Sequence, residues 1–218
     1  MAVNKDIILK IQKEIGSATL VAATKYASVQ DLIELNNSGI KIFGENRVQS
    51  FLEKYKVFPD PSHWHMIGTL QSNKVKYIID KVSMIHSVSS ISLMNEIQKQ
   101  AVKHNLIMPI LIQVNIAHEE SKHGFYESQV EDAINYLQKE CPNIELNGFM
   151  MMAPKIDKEK TRVYFRALRN LSEKMQKEFP NLPIKELSMG MSNDYDIAVQ
   201  EGATMVRIGR KLFTDLNI

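Results

Sequence analysis

The chain has 218 residues, and its 27 basic and 25 acidic side chains nearly cancel to a net charge of +2 at pH 7. This balance argues against a broad surface for nucleic acid or another polyanion. We expect no membrane segment, because no apolar stretch approaches the roughly 20 residues that one requires, and no secretory signal at the N-terminus. The single cysteine, Cys141, excludes an internal disulfide and predicts a reducing, cytoplasmic location.

Short apolar runs alternate with longer segments of helical periodicity along the chain. Eight runs are predicted as strands: Leu20–Lys25, Lys41–Glu45, His63–Gly68, Met84–Val88, Pro109–Ile116, Leu146–Met152, Ile184–Met189 and Met205–Gly209. The predicted helices are Asn4–Ile15, Val29–Asn37, Ser90–His104, Glu127–Glu140 and Lys158–Phe179.

This alternation of strands and helices favours parallel pairing with right-handed crossovers. We therefore predict an α/β fold, a closed (β/α)8 TIM barrel, as a single domain over residues 1–218 with a short N-terminal helix. The alternative is an open, doubly wound sheet. No G-x-G-x-x-G turn follows the first predicted strand, which disfavours that alternative.

In such a barrel the chemistry lies at the carboxyl ends of the strands. Lys25 closes the apolar run of the first strand, so we expect its stem to lose hydration, which favours a neutral amine able to attack an aldehyde. A lysine that extends from a strand end into solvent is the simpler reading. The other strand ends carry no paired carboxylates, which argues against glycoside hydrolysis. They carry Asn46, His65, Gly68, Ser87, Asn115, Met151, Ser188, Gly190, Arg207 and Gly209.

The last two predicted strands are followed by loops suited to an anion. Ser192 is placed as the N-cap of a helix, where backbone N–H groups face outward. Gly209 follows the eighth strand and permits close approach of a ligand to the backbone. Barrels frequently bind phosphate at these two loops, although a glycine and a serine also serve ordinary helix capping.

Three further side chains are candidate site residues. Arg207 alternates with Val206 and Ile208, so it faces the barrel interior and requires an acceptor. The acceptor is a carboxylate such as Glu45, a ring nitrogen or phosphate of a ligand, or both in one network. His63 and His65 lie on one face of the third predicted strand and form an H-x-H pair. The remaining metal ligands are poor, so we expect no metal site.

The motifs of this chain, in their order and spacing, resemble the pyridoxal phosphate homeostasis protein family. The matching segments are Val21–Lys25, Phe43–Asn46, Trp64–Lys74, Gln113–Ile116, Ser121–Gly124, Gly148–Met150, Ala153–Pro154, Phe165–Arg169, Leu187–Ser192 and Val206–Gly209. The family is similar to the barrel domain of alanine racemase, holds pyridoxal 5′-phosphate (PLP) as an internal aldimine, and is mostly monomeric.

The resemblance implies a cofactor site at the carboxyl end of the barrel. Lys25 is the implied Schiff-base lysine, and Arg207 is implied at the pyridine nitrogen. The remaining expected cofactor-binding residues are Asn46 and His65 near the cofactor, Met151 and Ser188 at strand ends, and Ser192, Gly209 and Arg210 at the phosphate. Arg210 stands where the family usually has threonine, so a backbone N–H or the guanidinium must replace a hydroxyl donor.

The expected function is that of a PLP carrier and buffer in vitamin B6 and amino-acid homeostasis, without established turnover. An arginine donor at the ring nitrogen weakens the cofactor as an electron sink. We expect a monomer without nucleic-acid or membrane partners, with PLP-dependent apo-enzymes as candidate recipients. One alternative is a weak PLP-dependent racemase with Lys122, His123 or Tyr195 as second acid or base. The others are a cofactor-free Schiff-base aldolase and a metal-dependent hydrolase.

Overall fold

A computed structural model describes residues 2–214 of the chain. The ten strands are β1 Ala2–Val3, β2 Thr19–Ala23, β3 Ile42–Glu45, β4 Trp64–Met66, β5 Met84–Val88, β6 Met108–Gln113, β7 Ile144–Met150, β8 Glu186–Met191, β9 Met205–Ile208 and β10 Phe213–Thr214. Strands β2 to β9 form a closed barrel of parallel strands in chain order, and β1 pairs with β10 in a separate antiparallel ribbon. The predicted (β/α)8 barrel is confirmed.

Helices follow most barrel strands. Within the described part of the chain, the seven α-helices are α1 Lys5–Ile15, α2 Val29–Asn37, α3 Val48–Tyr55, α4 Ile91–Lys103, α5 Glu127–Glu140, α6 Arg162–Glu178 and α7 Tyr195–Gln200. Between β4 and β5 the crossover contains a 3-10 helix, Ser72–Tyr77, rather than an α-helix. Side chains set several of the helix starts: Ser28 and Asp31 form a reciprocal capping box at α2, and Asn4 and Ser90 cap α1 and α4.

Strand side chains alternate between two separate cores. The larger core packs strand residues such as Ala22, Val206 and Ile208 against the helices. The smaller core fills the barrel and contains Val21, Ile67, Met84, Leu111, Met150 and Met205. Because Met205 faces inward and Val206 outward, Arg207 faces inward as the sequence predicts.

Two glycines let loops pack closely at the carboxyl end of the barrel, called the mouth below. A Cβ at Gly68 would lie 2.4 Å from the carbonyl oxygen of Asn46, so the turn after β4 presses directly on the loop after β3. Gly190 has a φ of 86°, and a Cβ there would lie 2.6 Å from the Cβ of Ala198. Helix α7 therefore packs directly against the end of β8.

Each predicted strand overlaps one barrel strand, but several ends differ. Strand β2 stops at Ala23, so Lys25 lies in the following turn. Strand β4 has only three residues, and His63 belongs to the preceding 3-10 helix, Pro61–His63. The prediction of one domain over residues 1–218 extends to Met1 and residues 215–218, which lie outside the described residues. Among residues 2–214, no helix has the length and apolar character needed to cross a membrane.

Candidate functional site at the barrel mouth

Arg207 is the central polar side chain of the barrel interior and is only 5% exposed. Its Nη1 donates to the carbonyl oxygen of Ser188 at 2.7 Å and to Ser188 Oγ at 2.6 Å. Its Nη2 donates to the carbonyl oxygen of Met151 at 2.8 Å. The sequence-based partner Glu45 is wrong, because a lysine of α3, described below, takes that carboxylate.

The guanidinium of Arg207 keeps free donors. A guanidinium has five N–H donors; three are used in the bonds above, which leaves two without a partner among residues 2–214. Burial lowers the pKa of Arg207 to about 10, and the charge of Asp194 partly offsets this. The group therefore remains a cation at neutral pH and needs an acceptor.

A chain of hydrogen bonds runs from Arg207 to His65. Ser188 Oγ lies 2.9 Å from Nδ1 of His86, and Nε2 of His86 lies 2.9 Å from Nδ1 of His65. Arg207 donates to Ser188 Oγ, so the serine hydrogen is free for Nδ1 of His86. By this donor–acceptor assignment both histidines carry their hydrogen on Nε2, and that of His65 has no partner among residues 2–214.

Both histidines of this hydrogen-bond network, His65 and His86, are neutral at pH 7. Burial lowers the pKa of His65 to about 4. The pKa of His86 is also lowered well below its ordinary value, first by burial and then by repulsion from a protonated His65 and from Arg207. Sequence reasoning missed this role of His86. The alternation of Met84 inward and Ile85 outward was the signal that His86 faces the barrel interior.

Lys25 lies in the turn after β2 and is exposed. Its Nζ lies 4.9 Å from the ring centroid of Tyr26, which is 62% exposed. The expected partly buried stem is wrong, because the turn in which Ala27 N donates to the carbonyl of Thr24 carries Lys25 beyond the strand. Its role as the Schiff-base lysine stays a prediction.

A buried ion pair between Lys54 and Glu45 holds the start of the turn that carries Lys25. Lys54 Nζ of α3 lies 2.5 Å from Glu45 Oε1 and 2.5 Å from the carbonyl oxygen of Thr24, directly before Lys25. Thr24 Oγ1 donates to Glu45 Oε1 at 2.7 Å, and Asn46 N donates to Glu45 Oε2 at 3.3 Å. One buried carboxylate thus connects the loops after β2 and β3. Sequence reasoning missed Lys54, since nothing local marks it as a buried lysine.

Three cations lower the pKa of Tyr26, an exposed side chain at the mouth beside Lys25. The hydrogen bond and charge of Lys25 lower the pKa of Tyr26, and the charges of Arg210 and Arg47 lower it further. Lys25, Arg47 and Arg210 therefore all contribute positive electrostatic potential at Tyr26. Their combined field attracts a phosphate or carboxylate to the mouth.

The loops after β8 and β9 meet, although not as predicted. Helix α7 begins at Tyr195 with Asp194 in the N-cap position, so Ser192 as N-cap is wrong. The carboxylate of Asp194 accepts from Met191 N at 2.6 Å and closes a turn that delays the helix. Ser192 Oγ accepts instead from Gly209 N at 3.4 Å, which joins the two loops beside the exposed Arg210.

The remaining predicted residues divide between the mouth and the core. Asn46 is half-buried at the mouth against Gly68. The side chain of Met151 lies in the larger core, so only its carbonyl oxygen takes part in the site, through Arg207. Met152 is the methionine that packs against the inner core.

His63 does not join His65. Its Nδ1 lies 2.5 Å from the carbonyl oxygen of Lys41, and its Nε2 lies 3.3 Å from Asp60. The H-x-H pairing is wrong, because β4 begins only at Trp64 and His63 closes the 3-10 helix before it. Among residues 2–214, no three His, Cys, Asp or Glu side chains are grouped so as to hold a metal ion.

Comparison with known proteins agrees with this barrel fold. The family model described as the alanine racemase N-terminal domain matches residues 8–216. Among curated relatives, a pyridoxal phosphate homeostasis protein of Aquifex aeolicus is 44% identical over 198 residues, which cover 90% of this chain and 86% of the relative. The fold and the matched family model thus define an alanine racemase-type barrel protein.

Two solved structures of PipY from Synechococcus elongatus are similar over the whole barrel. The form without PLP has a TM-score of 0.91 and 29% identity, with 96% of this chain and 99% of that chain covered. The form with PLP bound has a TM-score of 0.87 and 28% identity, with the same shares covered. Because its curated relatives share this name and match about nine-tenths of the sequence, the chain belongs to the pyridoxal phosphate homeostasis protein family.

Proposed function

We propose that this protein binds PLP at the barrel mouth and acts as a PLP carrier and buffer in vitamin B6 and amino-acid homeostasis. The observation that carries the proposal is that two complementary groups lie at the same end of the barrel. These are the exposed amine of Lys25 and the buried guanidinium of Arg207, which has two free N–H donors. An amine suits the aldehyde of PLP, and a free donor suits its ring nitrogen.

The residues present fit the cofactor in charge as well as in donor type. Lys25, Arg47 and Arg210 act together on Tyr26, so the mouth favours the phosphate of PLP. The proposed cofactor-binding residues are Lys25 as the Schiff-base lysine, Asn46, His65, Ser188, Ser192, Arg207, Gly209 and Arg210. The PLP-bound structure of PipY supports PLP binding by a barrel of this fold.

Bound PLP supplies an aldehyde that amines can attack and an electron sink for carbanions. Arg207 remains a cation at pH 7 and only donates, so a ring nitrogen facing it must accept and stays unprotonated. Ser188, His86 and His65 are neutral and hold Arg207 through one directional chain. These residues retain a cofactor while weakening it as an electron sink.

The structure favours retention over racemisation. Lys122 donates to Glu119 and to the carbonyl oxygens of Met152 and Ala153. Tyr195 donates to Glu14, and burial and this bond raise its pKa well above the ordinary value. Two of the three candidates for a second acid or base are thus already engaged. We therefore propose a carrier with no substantial turnover, and the curated relatives are named as homeostasis proteins rather than enzymes.

Exposure, cysteine content and net charge are the basis for proposing the partners, location and oligomeric state of the protein. The exposed amine of Lys25 leaves the cofactor accessible to recipient apo-enzymes. A single, buried, unpaired cysteine suits the cytoplasm. A monomer that binds neither nucleic acid nor membrane is consistent with the balanced charge.

The test is a PLP titration of the purified protein followed by borohydride reduction and peptide mapping. We expect absorbance near the visible edge and a reduced adduct on the peptide that contains Lys25. Lys25→Ala should lose this adduct, while Lys10→Ala, which removes an exposed lysine of α1, should keep it. Retention of the same adduct in Lys25→Ala would overturn the assignment.

A further inference from the structure

A groove of about 480 Å³ lies beside the mouth, between the loops after β3 and β4. One wall consists of Asn46–Gln49 and Leu52, and the other of Thr69, Gln71, Lys74 and Tyr77. The volume falls in the range typical of small-molecule sites. Of these residues, Asn46 belongs to the proposed cofactor site and Arg47 contributes to the positive field at its mouth, while the others belong to the groove alone.

The groove is positively charged. Arg47 and Lys74 line it, and no aspartate or glutamate does. Neither cation has a salt-bridge partner within residues 2–214, whereas the nearby Lys54 and Lys81 are both paired with carboxylates. Two unpaired cations in a concave, carboxylate-free surface select an anion.

The backbone adds to this field. Helix α3 begins directly after Arg47, and no side chain caps it. The N–H groups of its first turn therefore lack intrahelical partners, and the start of the helix carries a partial positive charge. The groove thus combines two side-chain cations with an uncapped helix start.

The remaining lining residues define what the anion is attached to. Val48, Leu52 and the ring of Tyr77, which is 43% exposed, form an apolar wall. Asn46, Gln49 and Gln71 contribute amides that both donate and accept hydrogen bonds. A bare inorganic ion would leave the apolar wall unused.

We propose that this groove binds a small organic anion, a phosphate monoester or a carboxylate with an apolar body, next to the cofactor site. The anion pairs with Arg47 and Lys74, and the apolar body packs on Leu52 and Tyr77. Asn46 borders both sites, and the charge of Arg47 also lowers the pKa of Tyr26 at the mouth, so the two sites adjoin.

The test uses three probes that share a phenyl body: phenyl phosphate, phenylacetate and phenethylamine. Each is titrated by calorimetry into protein whose cofactor has been fixed by borohydride, so that the first site is filled. We expect the two anions to bind and the amine not to bind. Arg47→Gln/Lys74→Gln should weaken anion binding by about tenfold or more.

The matched control is Lys103→Gln/Lys177→Gln, which removes two exposed cations from the ends of α4 and α6 and should leave affinity unchanged. Equal binding of all three probes, no binding of either anion, or equal losses in the two double variants would overturn the proposal. Binding to the cofactor-free protein alone would also overturn it, because the probe would then occupy the cofactor site. If borohydride fixes no cofactor, the proposed function fails, and the same variants still test the groove.

Discussion

Replacing Lys54 by methionine should both destabilise the protein and weaken PLP binding. Lys54 is 8% exposed and Glu45 is 1% exposed, and their charged atoms lie 2.5 Å apart. Lys54→Met leaves the Glu45 carboxylate buried with only Thr24 Oγ1 and Asn46 N as donors. Breaking one side of a buried pair costs about 3–5 kcal/mol. For a chain of this size that corresponds to a fall of roughly 6–20 °C in Tm.

The variant Glu45→Gln/Lys54→Met separates stability from function. It removes both charges, and the glutamine oxygen still accepts from Thr24, so the cost should fall below about 2 kcal/mol. It does not restore the hydrogen bond from Lys54 to the carbonyl of Thr24, which fixes the turn that carries Lys25. We expect PLP affinity about tenfold lower than in the wild type in both variants, because the Lys25 turn is no longer pre-organised.

Urea unfolding gives the stabilities, and the visible absorbance of a PLP titration gives the affinities. A loss below about 1 kcal/mol in Lys54→Met would show that the pair is not a buried ion pair of the expected strength. Wild-type PLP affinity in the double variant would show that Lys54 stabilises the loops without positioning Lys25.

Four other outcomes follow from the same structure. Arg207→Glu should lower Tm and PLP occupancy together, since it reverses a buried charge among carbonyl acceptors; normal values of both would contradict the site. Pyridoxal without its phosphate should bind far more weakly than PLP, because the cations at the mouth lose their anion; equal affinity would place the phosphate elsewhere. Below pH 6.5 the buried His65, with its pKa lowered to about 4 from 6.5, takes up a proton on unfolding, so its contribution to stability is complete above pH 6.5 and is lost toward pH 4. In His65→Gln, the fall in the free energy of unfolding between pH 6.5 and pH 4 should be smaller by about 3 kcal/mol than in the wild type. Amino acids should shift the PLP spectrum without alanine inversion or α-deuterium wash-in, and turnover of roughly one per second or faster would favour an enzyme.

Strand positions and the inward direction of Arg207 were predictable because they follow from short-range patterns. Apolar runs mark the strands, and alternation with Val206 and Ile208 fixes the direction of the arginine. Its partners were not predictable, because they depend on which neighbouring element reaches the same point. Glu45 was a reasonable candidate until α3, a short helix without a capping side chain, placed Lys54 against it.

Strand and helix ends produced the other errors at the site. Ser192 has the residue type of an N-cap. Two residues later, however, the carboxylate of Asp194 accepts a hydrogen bond from Met191 N, and the helix begins at the next residue, Tyr195. His63 and His65 have the spacing of one strand face, but the strand begins between them. In each case two local signals compete, and the tertiary contact that decides between them is not written in the neighbouring sequence.

The barrel interior explains why this site suits a holder of PLP better than an acid–base catalyst. Within residues 2–214, Arg207 donates hydrogen bonds only to neutral groups, the carbonyls of Ser188 and Met151 and the hydroxyl of Ser188, and it keeps two N–H donors for an electron-rich acceptor. The histidines behind Ser188 stay neutral because burial opposes their protonation, and in the assigned tautomers the Nε2 hydrogen of His86 is donated to His65. General acid–base catalysis at pH 7 needs a group with a pKa near 7 facing the reacting carbon. The buried interior instead provides a cation that binds and neutral groups that keep that cation in place.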